Sequence, residues 1–308
     1  SMLIAPIAAV RTINDTMHFS TSTRNILNRL QIKNHPSQED EMKIFSYCLC
    51  LVIWSLLWSA PPAQAATEAR TIMEQVDARD DGDNQTADLE MTLIDHKGNE
   101  RRRTIKLYSK DKGRDTLRMQ FFLAPADVKD TGFLTYDYYG GEKDDDQWLY
   151  LPDLRKTKRI ATSDKSSSFM GSDFSYADMT RRVLDEWSYK LLKEDLVNDQ
   201  EVWIIEALPV SGAVEDRYGY KRSIVYVRKD NFMVVRAIHV VKTGNKVKYM
   251  EAKKIENIDG IWVAVETWMK TTRNKRTLHR TVLRMDNINY NQELDESFFS
   301  VRQLEKGL

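Results

Sequence analysis

The chain is poor in the residues from which most active sites are built. It has two cysteines, Cys48 and Cys50, both inside an apolar run near the start. The rest of the chain therefore has no disulfide framework, thiol nucleophile or cysteine-bound metal. Histidine is nearly as scarce downstream: His96 sits in a hairpin turn, His239 and His279 in different strand patterns. Zinc needs three or four converging ligands, usually with a local spacing such as i, i+4. That spacing is missing, so these read as ordinary surface or strand histidines, and no metal or cofactor is expected. The glycine-x-serine-x-glycine turn of serine hydrolases is also absent, since Gly171-Ser172 has no glycine following. No enzyme is expected.

Charge of one sign is missing too. The full chain holds 46 basic and 46 acidic residues; without residues 1–65, which take five basic and four acidic with them, 41 stand against 42. A near-neutral balance without a basic block argues against nucleic acid as a partner. No Pro-, Gly- or Ser-rich tract divides the later part, so 66–308 reads as a single domain, long enough to bury roughly 70% of its unfolded surface.

What is present begins with an address. Met42-Lys43 opens a short basic start, Ile44 to Ser59 is an uncharged apolar run, and Ala63-Gln64-Ala65 forms a small-x-small triplet. Residues 42–65 read as a secretory signal peptide cleaved near Ala65, with Pro61 and Pro62 favouring removal over a membrane anchor. Tyr47 and Leu49 precede the cysteines where a lipid-attachment site needs small residues. Residues 1–41 are polar and aperiodic and read as an upstream segment ahead of the true start, with Ser1 a cloning remnant. The expected location is the periplasm.

Residues 67–77 place Ala69, Ile72, Met73 and Val76 three and four apart, which predicts a short amphipathic helix with Thr67 as cap. The following DARDDGDN resembles a calcium loop only superficially, because Arg79 occupies the third position and Asp88 the twelfth. It reads as a helix-stopping turn, and GEKDDDQ as a solvated hairpin tip. Alternation then takes over. Leu89, Met91 and Leu93 share one face of a strand; Leu117, Met119 and Phe121 repeat the pattern, followed by Leu134 with Tyr136 and Trp148 with Tyr150. About ten successive strands joined by short turns imply a mainly β (α+β) antiparallel meander. A sheet of that size curls and leaves one apolar face to be covered or filled. The cover available is thin: the first helix, 160–185, and the tail ELDESFFSVRQL.

That shortage of cover predicts a cavity. The strand residues just named, with Trp187, Trp203 and Trp262, are its candidate lining, although any one of them is equally at home in an ordinary sheet core. In SSSFMGSDFSYADM, Phe169, Met170, Phe174 and Tyr176 read as apolar contacts of a pliable lip at the mouth. Asp173 and Asp178 read as caps or partners of the cluster Arg155, Lys156, Lys158 and Arg159. Of that cluster, Arg155, Lys158 and Arg159 are candidate contacts for an anionic head group, or simply a solvated hairpin.

Three segments in order, GDNQTADLEMTLIDHKGNERRR, DDDQWLYLPDLRKTKRI and FMGSDFSYADM, resemble the LolA-like family of exported proteins often named outer membrane lipoprotein-sorting proteins. The resemblance covers nearly all of 66–305. It implies an unclosed, curved antiparallel β half-barrel whose concave apolar face carries a helical or irregular lid. It also implies a carrier or chaperone that binds the acyl chains of lipoproteins or lipids for transfer toward the outer membrane. An inner-membrane transporter or an outer-membrane acceptor would be its partner. An accessory or sensor protein that binds a transporter or peptide is the alternative. The resemblance does not place the family's lid arginine on a particular residue here, so it does not extend to the cargo.

Overall fold

Strand-forming alternation dominates from residue 84 onward, and the computed structural model, which describes residues 62–308, resolves it into thirteen strands. The upstream segment and the signal-like run lie outside the described residues. The first helix, α1 (Pro62–Asp77), starts five residues earlier than its periodicity predicts. Thr67 is therefore inside the helix, where its carbonyl accepts from the Thr71 hydroxyl, and is not its cap. Ala69, Ile72 and Met73 are the buried stripe.

The chain enters the sheet near its middle. From β1 (Asn84–Asp95) it steps outward through β2 (Glu100–Lys112), β3 (Asp115–Ala124), β4 (Gly132–Asp137) and β5 (Asp146–Leu151) to an edge strand, β6 (Lys156–Arg159). It reappears at the opposite edge as β7 (Trp187–Val197). From there it returns through β8 (Gln200–Pro209), β9 (Tyr220–Arg228), β10 (Val234–Val241), β11 (Lys246–Ile258) and β12 (Ile261–Arg273) to β13 (Arg276–Tyr290), which pairs with β1. Every neighbouring pair is antiparallel, and the edges β6 and β7 do not meet, so this is one curved, open sheet. The strand count exceeds the expected ten, partly because Lys156–Arg159, read as a charged hairpin, pairs with β5.

This topology dictates the lid. Residues 160–186 must run from one edge of the sheet to the other, and they do so across one face, called inner here. Along the way Gln147 of β5 donates to the Tyr176 carbonyl at 2.9 Å, Arg103 of β2 donates to the Met170 carbonyl at 2.6 Å, and Tyr220 of β9 donates to Asp178. Beneath the segment, Phe169 packs in a closed group with Leu89, Met91, Ile105, Phe122, Phe133 and Leu149.

The outer face of the same strands is also covered. Leu117, Met119, Phe121 and Leu134 pack against Phe299 and Leu304, delivered by the tail and its helix α2 (Val301–Lys306). Contact is close enough to require glycine at 132, where an added Cβ would stand 2.5 Å from Leu304 Cδ1 and 3.3 Å from the Leu304 carbonyl oxygen. Gly132→Ala is expected to lose about 1–2 kcal/mol through overpacking; urea unfolding checks this, with Leu304→Val in the same chain recovering part of the loss.

Candidate binding cleft

On the inner face of β9–β12 the side chains become small. Ala237, Ala252 and Ala264 stand where the β3–β5 half carries phenylalanines, and a hollow of about 450 Å³ opens there. Its floor adds Val225, Met250 and Met269; its walls are Met73 and Val76 of α1, and Phe174, Ala177 and Leu184 of the crossing segment. That volume falls in the lower half of the range of roughly 300–1,000 Å³ usual for small-molecule sites.

The cleft is apolar below and charged at one side. Arg79, Arg118, Arg181, Arg182, Asp77, Asp178, Tyr189 and His239 also line it. Most of these are committed. Arg118 pairs with the buried Asp137 at 2.9 Å, and Arg181 donates to Thr116 Oγ1 at 2.6 Å while its backbone N–H donates to Asp137. Arg79 donates to the Trp262 carbonyl at 2.6 Å. Burial pushes the Asp77 carboxyl up despite the nearby Arg181.

A buried polar group supports the floor. Asp178 closes a capping box with Ser175 at the start of the 3-10 turn Tyr176–Met179 and accepts from Tyr220. Burial alone would raise its carboxyl, but Lys248 and the hydrogen bonds from Ser175 and Tyr220 hold it below the usual range. His239 is stacked on Tyr220 at 4.6 Å, and its Nδ1 lies 2.8 Å from Ser223 Oγ and 3.4 Å from Arg182 Nη2. Burial first, and Arg182 next, pushes its imidazole down to about 3, so the ring is neutral at ordinary pH. Among the described residues no cluster of His, Cys, Asp or Glu could hold a metal ion.

The apolar residues nominated from the sequence fall in five places. Phe174 borders the cleft. Leu89, Met91 and Phe169, with Leu93, Met170 and Tyr176 at the margin, form the closed inner group, where Phe169 stands 4.9 Å from Phe133 and 5.6 Å from Tyr176. Leu117, Met119, Phe121 and Leu134, with Tyr136, Trp148 and Tyr150, lie on the outer face under the tail. Trp187 packs with α1 and Trp203 beside it, whereas Trp262 belongs to an outer cluster around Val202 and Ile204. The reason for this scatter is physical. On β3 the inward residues are Thr116, Arg118, Gln120 and Phe122, so the apolar alternation marks the face the tail keeps dry.

Arg155, just before the edge strand, and Lys158 and Arg159 on it are exposed and do not border the cleft. Arg159 pairs with Asp146, and Lys158 lies 3.6 Å from Asp164. Asp178 caps, as expected. Asp173 pairs instead with Thr271, Thr281 and His279 of β12 and β13, in the middle of the sheet and away from the edge strand Lys156–Arg159. Sequence reasoning missed Arg182, Tyr189 and the methionine and alanine floor. The available signal was the run of small inward residues in successive late strands.

Comparison with known proteins adds an independent line. A family model described as an uncharacterized protein matches residues 114–306. A DUF1329 family protein from Desulfovibrio piger is 31% identical, with 80% of this chain and all of that one aligned at a TM-score of 0.70. A Vibrio parahaemolyticus structure, named for an outer membrane lipoprotein-sorting protein domain, is 27% identical over 78% of this chain and 99% of that one, also at 0.70. A LolA superfamily protein from Nitrosomonas europaea shares the fold at 17% identity and a TM-score of 0.58, over 76% of this chain and 98% of that one. No curated protein matches the sequence.

Proposed function

The chain belongs to the DUF1329 family and has a LolA-like fold, and from that premise we propose that it is a periplasmic carrier that shields an acyl chain of a lipid or lipoprotein during transfer toward the outer membrane. The observation that carries this reading is the hollow over Val225, Ala237, Met250, Ala252 and Met269, roofed by the crossing segment and α1. Burying each methylene is worth about 0.8 kcal/mol, so a sixteen-carbon chain gains on the order of 10 kcal/mol before ordering costs. No covalent step is needed. Export through a signal at 42–65, a donor at the inner membrane and an acceptor at the outer membrane belong to the same proposal.

Filling the hollow tests it. Thr267 lines the cleft and is half-buried, so Thr267→Trp adds bulk without a deep core clash. The variant is expected to bind a fluorescent long-chain alcohol at least about ten-fold more weakly, the loss of roughly two buried methylenes' worth of free energy, with little change in thermal unfolding. Unchanged probe affinity in a folded variant would place acyl binding elsewhere or nowhere.

A further inference from the structure

Two donors in the cleft have no acceptor suited to them. The Tyr189 side chain is 7% exposed, and its hydroxyl is buried without a hydrogen-bond partner. Burial pushes that hydroxyl up to about 12, so it stays a donor at neutral pH. Beside it on β7, two residues back, is Trp187, and the Arg182 guanidinium lies over that indole at 4.5 Å from the ring centre. Arg182 also sits 5.8 Å from the Tyr220 ring and 3.4 Å from the neutral His239 imidazole. Among the described residues no carboxylate pairs with Arg182, whereas Arg118 has Asp137 and Arg217 has Glu186.

A buried hydroxyl without a partner costs about 1–3 kcal/mol, so it is rarely kept without use. A cation held over aromatic rings at the side of an apolar hollow is likewise arranged to receive something. Both groups line the same cleft, and the aliphatic floor begins beside them at Val225 and Ala237.

We propose that Arg182 and Tyr189 form the head-group site of the cleft, and that its occupant is a single-chain amphiphile with an anionic, acceptor-only head, a carboxylate or a phosphate monoester. The head lies against the guanidinium and the Tyr189 hydroxyl, and the chain runs over Ala237, Met250 and Met269. This rests on the carrier reading and adds the cargo's head chemistry to it. His239 supports the arrangement by staying neutral, which leaves the Arg182 charge for the ligand.

Displacement of an uncharged pyrene-tailed alcohol from the purified chain separates the two levels. Palmitate and hexadecyl phosphate are expected to compete better than hexadecanol by about ten-fold, the worth of a charge-assisted hydrogen bond. Arg182→Gln brings the acid-to-alcohol and phosphate-to-alcohol affinity ratios toward one; Arg182→Lys restores part of them. Tyr189→Phe lowers anion affinity several-fold while thermal unfolding holds or rises, because no hydrogen bond within the protein is lost and a buried unpaired hydroxyl is removed. The ranking of palmitate against hexadecyl phosphate distinguishes the two heads. Equal competition by acid, phosphate and alcohol, unchanged in Arg182→Gln, overturns the head-group site but leaves the carrier. If the probe itself fails to bind, the carrier reading falls with it.

Discussion

Asp173→Ala is expected to lower the free energy of unfolding by about 3 kcal/mol and to speed release of a bound acyl probe. The carboxylate is 1% exposed. Thr271 and Thr281 donate to it from adjacent strands, Thr281 at 2.8 Å, and His279 Nδ1 lies 2.6 Å away. The Asp173 backbone N–H also donates to Thr281 Oγ1 at 2.9 Å. One residue of the crossing segment thus satisfies three side chains of β12 and β13, and alanine leaves two buried threonine hydroxyls without an acceptor. Its neighbour Phe174 is the part of the segment that borders the cleft, so loosening Asp173 loosens a wall. Urea unfolding and stopped-flow probe release measure the two effects. If stability falls while the release rate stays fixed, the segment is fixed scaffold and not a gate.

The second large effect is a loss of stability in mild acid. His239 is pushed down to about 3 in the folded protein, against 6.5 ordinarily, so the unfolded chain takes up a proton that the folded chain refuses. The sign follows from that difference. The contribution is full above about pH 6.5 and is lost as pH falls toward 3, at about 1.4 kcal/mol per unit. The groups facing His239 are Arg182, Ser223, Tyr220, Asp178 and Lys248, and the two cations oppose its protonation. Asp178, held below its usual range, adds to the loss only at lower pH. Between pH 6.5 and 4.5 the wild-type chain is expected to lose about 3 kcal/mol, and His239→Gln to show a much flatter profile. Equal slopes in the two proteins would mean that the ring titrates normally.

The sequence makes the sheet legible because alternation is local: a strand with Leu89, Met91 and Leu93 on one side reads the same in isolation as in the fold. The crossing segment is legible too, as the one long piece between 160 and 185 without alternation, and so is a capping role for Asp178. What alternation cannot reveal is which face of the sheet is concave when both faces are covered. Leu117, Met119, Phe121 and Leu134 are apolar because Phe299 and Leu304, more than 160 residues later, come to lie on them. The hollow arises from the opposite feature, small residues such as Ala237 and Ala252, which a search for aromatics passes over. Arg182 gains its meaning only from the rings that gather around it.

Whether the cleft holds an acyl chain decides the function. The direct measurement is native mass spectrometry of the chain purified without detergent, with lipid identification after extraction. The predicted result is a stoichiometric adduct carrying a single long acyl chain with an acidic head, lost in Thr267→Trp. Protein of bare mass that also fails to take up added palmitate, hexadecyl phosphate or hexadecanol would contradict it.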